Sequence, residues 1–275
     1  MELLVQIRNL AVEFCDGPAR YTALRGIDFE IGRGEIVGLM GESGSGKSTT
    51  AISLLGLLPS DSASVRGSVR FRDQELLSLS EREWQKVRGS QISLVFQEPE
   101  IALSPVMRAG DQVAEVIHAH QNWNWRRCRG EARAALARVG LKDDRFFSSY
   151  PHQLSGGQRQ RVVFAQALAC EPALLIADEP TASLDAHSQA EIIDLLKQLR
   201  AETGLTVLLI SHSPEVQASL ADRVVILKEG RILETGAFEE LYDASAHSYT
   251  RKLLGVTGAK VSLSELPSAP RSAQA

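Results

Sequence analysis

Short apolar runs typical of strands and longer runs with helical spacing follow one another along the chain. Near its start, apolar and polar residues alternate, which predicts short, partly antiparallel strands at 4–14, 23–31 and 68–71. An apolar strand at 35–40 then leads into a glycine-rich loop. A helix should follow at about 47–58, because Pro59 prevents its continuation.

The middle of the chain has a different pattern of apolar and polar residues. Apolar residues recur at helical spacing over 98–169, which predicts a helical insertion. Strand character is present at 92–96 before it and returns at 173–177 and 206–211 after it, with a helix at 188–201 between the last two. This β-α-β alternation predicts a parallel sheet with crossover helices. Lys228-Glu229-Gly230 lies between the strands 223–227 and 231–235, which indicates a hairpin.

Composition and charge limit the classes of protein to which the chain can belong. The chain has 275 residues, 44% of them hydrophobic, and a net charge of −4, so charge gives no reason to expect a nucleic-acid partner. Cys15, Cys128 and Cys170 are widely spaced and odd in number, which favours free thiols over a disulfide or metal framework.

The apolar segments are short. No signal peptide is expected at residues 1–8, and the longest apolar runs, such as 173–177 and 207–210, are far below the roughly 20 residues that span a bilayer. We therefore expect any attachment to a membrane to depend on a partner.

The glycine-rich loop at 41–48 matches the pattern GxxxxGK[ST] and lies between a predicted strand and a predicted helix. Its glycines allow successive amides to surround phosphates, Lys47 supplies a positive charge to the β and γ groups, and the Ser48 hydroxyl can reach Mg²⁺. The predicted nucleotide-binding residues of this loop are Gly41, Ser43, Gly44, Ser45, Gly46, Lys47, Ser48 and Thr49.

Two carboxylates end the apolar strand at 174–179. Asp178 is where a protein with such a phosphate-binding loop has its Mg²⁺ ligand, and Glu179 can orient or deprotonate a water that attacks the γ-phosphate. The alternative is that Asp178-Glu179-Pro180 only caps the next helix.

A second anion-binding element is predicted at residues 154–158, with the sequence Leu-Ser-Gly-Gly-Gln. Gly156 and Gly157 carry no side chains at what is predicted to be a helix N-terminus, so backbone N–H groups there can approach an anion.

These segments together resemble the ATPase subunits of ABC transporters, over about residues 3–255. Residues 154–158 are similar to the signature motif, Gln97 to the glutamine loop, residues 183–185 to the D-loop and His212 to the switch histidine. The resemblance implies an α/β fold with a P-loop NTPase (RecA-like) core, an antiparallel β subdomain and an inserted helical subdomain. The core with its β subdomain would comprise 1–97 and 170–255, the helical subdomain 98–169, and a disordered tail 256–275.

The same resemblance implies ATP and Mg²⁺ as cofactors and a head-to-tail pair of subunits. The signature residues of one subunit would complete the nucleotide site of the other; they are Ser155, Gly156, Gly157 and Gln158. Gln97 would contact Mg²⁺ or the attacking water, and His212 would bridge to the γ-phosphate. Tyr21 is the first candidate for stacking on adenine, with Phe14 the second.

Several segments resemble one subfamily, the importers of oligopeptides, dipeptides and nickel. They are 102–106, Gly110-Asp111-Gln112, Glu115, 150–153 and 247–250. This implies two separate transmembrane permease subunits, an extracytoplasmic solute-binding protein as an indirect partner, and a peripheral position on the cytoplasmic face of the plasma membrane. The second ATPase subunit would be another copy or a paralogue. No iron–sulfur cluster is expected, since no cysteine follows Cys170.

The expected function is therefore ATP hydrolysis that powers import of peptides, nickel or a similar small solute. An exporter subunit and a soluble ABC ATPase without a transport role are the alternatives. The segment 121–127, with Trp123 and Trp125, is either a contact surface or an amphipathic element with a solvated basic face.

Overall fold

The computed structural model describes residues 2–16 and 19–256. The described chain divides into two compact units, one formed by residues up to 84 together with those from 206 onwards, the other by residues 85–205. The predicted tail lies outside the described residues except for Val256. The boundaries expected from the resemblance, at 97/98 and 169/170, stay a prediction.

The first unit contains two groups of strands and several short helices. In chain order its elements are β1 (Leu3–Asp16), β2 (Ala19–Gly32), β3 (Ile36–Met40), α1 (Lys47–Ser53), β4 (Ala63–Phe71), β5 (Gln74–Glu75), α2 (Glu81–Trp84), β8 (Thr206–Ile210), α9 (Pro214–Leu220), β9 (Arg223–Lys228), β10 (Arg231–Gly236), α10 (Phe238–Ala244) and α11 (Ser248–Leu253).

Both predicted kinds of sheet are present in this unit. β1 pairs antiparallel with β2 and with β4, and the strands run in the order β2-β1-β4-β5. β3 pairs parallel with β8 on one side and with β9 on the other, while β9 and β10 form the predicted antiparallel hairpin. All residues of β3 and β8 are buried, as expected for strands covered on both faces.

The second unit is mainly helical. Its elements are β6 (Ile92–Val95), α3 (Pro99–Ala102), α4 (Ala109–His120), α5 (Trp125–Arg138), α6 (Asp144–Ser148), a 3₁₀ turn (Pro151–Gln153), α7 (Gly156–Leu168), β7 (Leu174–Asp178) and α8 (Ala186–Thr203). β6 and β7 are parallel. The predicted helical insertion is thus observed as α3 to α7, and the predicted strands before and after it as β6 and β7.

One predicted boundary is wrong. The helix expected to continue to about residue 58 ends at Ser53, well before Pro59. Gly56 has φ +59°, and a Cβ on it would lie 2.4 Å from the Trp84 ring. Glycine in the left-handed conformation commonly ends a helix, and here the amide of Leu57 donates back to the carbonyl of Ile52 at 3.1 Å. The indole of Trp84, 28 positions later, packs on the backbone of Gly56 and leaves no room for a side chain there.

The subfamily segment at Gly110-Asp111-Gln112 has a packing role. The buried side chain of Gln112 accepts from the Ser104 amide at 2.8 Å and donates to the carbonyl oxygens of Ser104 and Met107 at 3.0 Å each, which fixes the loop before α4. Gly110 faces the ring of Phe147, and a Cβ at this position would lie 2.1 Å from it. α4 and α6 can approach closely only because Gly110 has no side chain.

Two glycines in neighbouring helices give a matched test of this contact. Gly110→Ala should destabilise the protein by about 1–3 kcal/mol, because the added methyl group overpacks against Phe147. Gly130→Ala, in α5, meets nothing within 4 Å and should stabilise by about 0.5–1 kcal/mol through helix propensity. Urea unfolding measures both, and equal stability of the two variants would contradict the packing described here.

Candidate functional site

The loop of residues 41–46 connects β3 to α1 at the end of a fully buried strand. Gly44 and Gly46 have φ of +77° and +111°, a region that residues with a Cβ rarely adopt. The carbonyl oxygen of Gly46 accepts from both the amide and the hydroxyl of Thr50 at 2.9 Å, which joins the loop to the first turn of α1. The predicted strand–loop–helix context of the motif is confirmed.

Neighbouring backbone surrounds this loop closely. A Cβ on Gly41 would lie 2.3 Å from the carbonyl oxygen of Leu227, and one on Gly46 would lie 2.9 Å from the carbonyl oxygen of Ala23. The amide of Gly230, in the β9–β10 hairpin, donates to the carbonyl of Ser45 at 2.9 Å. Strand β2 and the hairpin therefore fix the path of the loop.

Polar groups of the loop fit an anionic ligand. The Lys47 ammonium donates to the carbonyl oxygens of Gly41 and Glu42, at 2.7 and 3.0 Å. The Ser45 hydroxyl is buried and, among the described residues, has no hydrogen-bond partner. A buried polar atom without a partner is costly unless a ligand or water satisfies it, so this hydroxyl is consistent with a bound phosphate.

His212 and Tyr21 belong to the same unit as the loop. Leu39 and Ile210 are paired residues of the parallel strands β3 and β8, so the loop and His212 leave the same edge of the sheet. The Tyr21 hydroxyl donates to the carbonyl of Gly44 at 3.3 Å, and its side chain is exposed. Phe14 pairs with Tyr21 across β1 and β2, so both candidates for adenine stacking lie at one position of the sheet.

The second unit brings together three other predicted site residues, Gln97, Asp178 and Glu179. Val95 pairs with Ala177 in the parallel strands β6 and β7, so Gln97, Asp178 and Glu179 follow the same sheet edge. Gln97 is exposed and Glu179 is only 9% exposed. Glu179 also has φ +48°, a left-handed conformation that is uncommon for residues other than glycine and is concentrated at functional sites.

The predicted helix N-terminus at residues 154–158 is confirmed as the start of α7. The Ser155 hydroxyl accepts from the Gln158 amide at 3.3 Å, and the Gln158 side chain accepts from the Ser155 amide at 3.0 Å, which forms a capping box. Ser155 and Gly156 are exposed and Gly157 is buried. The cap orders the start of the helix while Ser155 and Gly156 stay exposed to solvent.

Asp185, in the segment similar to the D-loop, caps the N-terminus of α8. Its carboxylate accepts from the amide and the hydroxyl of Ser188 at 2.9 and 3.0 Å, and the bond to the amide is the main reason why the pKa of Asp185 is lowered. A Cβ on Gly157 would lie 2.8 Å from the Ser188 hydroxyl, so the start of α7 lies against the start of α8.

Several apolar side chains of the second unit are exposed to solvent. They are Phe96, Ile101, Val106 and Trp125. An open cleft of about 430 Å³ lies beside Trp125, lined by Met107, Asp111, Trp125 and Arg129. Trp123 is half-buried beneath the guanidinium of Arg127, 3.6 Å from the ring centre, which matches the amphipathic interpretation; the exposed ring of Trp125 matches the contact-surface interpretation.

One residue near the loop was not identified as a site residue from the sequence. The hydroxyl of Tyr249, in α11, accepts from the amide of Glu42 at 2.9 Å. The segment 247–250 was assigned only to a subfamily resemblance, and sequence alone does not bring together residues that are 207 positions apart.

The described residues contain neither a helix suited to cross a membrane nor a grouped set of metal ligands. Among residues 2–16 and 19–256, no helix combines the length and the apolar character that crossing a membrane requires. Within the same part of the chain, no three or more histidine, cysteine, aspartate or glutamate side chains are grouped as metal ligands. The cysteines are free, and Cys128 is buried.

Comparison with known proteins agrees with this geometry. The family model "ABC transporter" matches residues 24–182, more than half of the chain. The protein is 41% identical to the dipeptide transport ATP-binding protein DppD of Bacillus subtilis, over 93% of this chain and 77% of the relative. It is 42% identical to the oligopeptide transport ATP-binding protein AmiE of Streptococcus pneumoniae, over 92% of this chain and 72% of the relative.

A solved structure supports the same assignment. The ATP-binding cassette MJ0796, in a dimeric post-hydrolysis state with ADP and Pi, superposes with a TM-score of 0.75 at 32% identity, over 86% of this chain and 99% of that one. The chain belongs to the ABC transporter family. It is an ATP-binding cassette with the α/β fold of that class, and the expected fold class is confirmed.

The positive φ of Gly44 gives a test of how the loop is held. The Cβ added by Gly44→Ala has no atom within 4 Å, so the substitution acts only through the backbone conformation. We expect it to lower the free energy of unfolding by about 1–2 kcal/mol. Gly44→Asn should cost less, because asparagine tolerates this region better. Thermal unfolding without nucleotide compares the two, and an alanine variant at least as stable as the asparagine variant would contradict the described backbone.

Proposed function

We propose that this protein is the ATP-hydrolysing subunit of an importer for peptides, nickel or a similar small solute, working through separate membrane subunits. One observation carries the proposal: the chain has two elements suited to phosphate, the loop at 41–46 and the open N-terminus of α7. The names of the relatives, dipeptide and oligopeptide transport proteins, support the substrate class.

ATP would bind through the loop. Its amides and the Lys47 ammonium would contact the phosphates, and the buried Ser45 hydroxyl would gain the partner that it lacks among the described residues. Tyr21 has the exposed ring that stacking on adenine requires, and its hydroxyl bond to Gly44 keeps it beside the loop.

Mg²⁺ is the metal that the proposed donor set suits. The donors are the hydroxyl of Ser48, the amide oxygen of Gln97 and the carboxylate of Asp178, all hard oxygen ligands of the type that Mg²⁺ prefers. The metal would neutralise charge on the phosphate oxygens. Its removal by a chelator should therefore stop hydrolysis.

Glu179 would accept the proton of the attacking water while the bond between the β and γ phosphates of ATP breaks. Its burial and left-handed backbone hold the carboxylate in a defined position, which a general base needs. His212 would orient the γ-phosphate and this water, and Gln97 would sense the nucleotide from the start of the helical region.

The start of α7 would serve a second subunit, which is another copy or a paralogue. Ser155 and Gly156 are exposed, so a phosphate held by a partner can reach the Ser155 hydroxyl, the Gly156 N–H and the positive end of the helix dipole. ATP would then close the pair head to tail, and hydrolysis would reopen it.

The exposed apolar side chains of the second unit would contact the permease subunits. Ile101 and Val106 are 80% and 81% exposed, so their side chains are available for contact with a partner. This contact would keep the protein at the cytoplasmic face of the plasma membrane, with the solute-binding protein as an indirect partner. The names of the relatives, both transport proteins, favour a transporter subunit over a soluble ATPase. The subfamily resemblance favours import over export.

Replacing Glu179 tests the chemical step. Glu179→Gln keeps the shape of the side chain and removes the base, so ATP should still bind while turnover falls about a hundredfold or more. Because ATP then persists, the variant should accumulate as a dimer in size-exclusion chromatography with ATP. Unchanged turnover would exclude Glu179 as the base.

Mixing two inactive variants tests whether Ser155 acts across subunits. Ser155→Arg blocks the start of α7, and Lys47→Ala removes the charge of the phosphate-binding loop. If the site is shared, a mixed dimer contains one intact site made of one half from each variant, and ATPase activity should partly return. If the mixture is no more active than the separate variants, either Ser155 does not act across subunits or one intact site is not enough for hydrolysis.

A further inference from the structure

The segment His247-Ser248-Tyr249-Thr250 forms the start of α11 and brings the C-terminal part of the first unit to the phosphate-binding loop. The ring of Tyr249 packs against an apolar cluster that includes Met40, the last residue of β3. Its hydroxyl extends beyond this cluster and accepts from the Glu42 amide at 2.9 Å. Helix α11 is thus hydrogen-bonded to the second residue of the loop.

The amide that Tyr249 contacts is bonded at both ends. The N–H of Glu42 and the C=O of Gly41 belong to one planar peptide group. The N–H donates to Tyr249, and the C=O accepts from the Lys47 ammonium at 2.7 Å. Tyr249 and the phosphate-binding lysine therefore orient the same peptide from opposite sides.

Three further contacts fix Tyr249 in place. The carboxylate of Glu234 accepts from the Ala246 amide at 2.8 Å, which holds the chain just before α11. The Lys228 ammonium lies 4.9 Å from the centre of the Tyr249 ring, and the Tyr249 hydroxyl makes a long 3.5 Å contact with the carbonyl of Leu227. Burial raises the pKa of Tyr249, so the hydroxyl keeps its proton at neutral pH.

The nearby ion pair does not explain this connection. Lys252 and Glu42 lie 4.0 Å apart, but both side chains are largely exposed, and exposed pairs contribute little. The hydroxyl of Tyr249 is thus the group of α11 with a direct, well-formed bond to the backbone of the loop.

We propose that Tyr249 is a positioning residue for nucleotide binding, whose hydroxyl holds the Gly41–Glu42 peptide in the orientation that places Lys47 for the phosphates. This inference rests on the proposed role of the loop in binding ATP. It assigns the segment 247–250 a function inside the cassette, in addition to its value as a subfamily marker.

Two tyrosine-to-phenylalanine variants test the proposal. Tyr249→Phe removes only the hydroxyl that contacts the loop. Tyr242→Phe is the matched control, because Tyr242 lies in the same apolar cluster, in α10. We expect Tyr249→Phe to raise the Kd and KM for MgATP about threefold, the effect of one neutral hydrogen bond. Its kcat should match that of the control.

Hydrogen exchange at the Glu42 amide gives a measurement that does not depend on nucleotide. The exchange should be faster in Tyr249→Phe than in Tyr242→Phe, since only the first variant loses the acceptor. The proposal is overturned by unchanged exchange at Glu42, or by equal MgATP affinity of the two variants. A wild-type protein that binds no MgATP would instead contradict the proposed function, while the exchange experiment would still decide whether Tyr249 orders the loop.

Discussion

The close contact between the phosphate-binding loop and the surrounding backbone is the constraint on which the first unit depends. β2 approaches Gly46 and β9 approaches Gly41 so closely that neither position has room for a Cβ. Because the amide of Gly230, in the β9–β10 hairpin, also binds the loop, β2 and this hairpin determine the shape of the loop before any nucleotide arrives. Binding then requires little ordering of the backbone, which lowers its entropic cost.

This arrangement explains which parts of the fold the sequence predicts. Elements defined by local patterns were predicted well: the strands of both kinds, the hairpin around Glu229 and the loop motif itself, because periodicity and glycine spacing are properties of neighbouring residues. The predicted end of α1 is wrong because Gly56, in the left-handed conformation, and not Pro59 marks where the chain leaves the helix. Tyr249 was missed because its bond to the Glu42 amide joins residues that are far apart in the sequence.

Some features of the candidate site can likewise be predicted from the sequence, and others cannot. Residue types and spacing predict roles for Lys47, Asp178 and Glu179, because these residues belong to motifs with a defined chemistry. The left-handed backbone conformation of Glu179 cannot be predicted from the sequence, because glutamate has no intrinsic preference for it and the surrounding structure must impose it. The capping box at Ser155 and Gln158 has a local sequence signal, serine followed three residues later by glutamine, which indicates a helix start independently of any anion site.

The capping box bears on whether one helix end can serve both its own fold and a partner's nucleotide. A serine hydroxyl has one donor hydrogen and two acceptor lone pairs. In α7 the Ser155 oxygen uses an acceptor position for the Gln158 amide, so the cap does not consume the donor hydrogen. The hydroxyl can therefore stabilise the helix as an acceptor and contact a phosphate oxygen as a donor. Because Gly156 next to it has no side chain, the phosphate can also approach the backbone, so capping and the proposed binding in trans are compatible in the same turn.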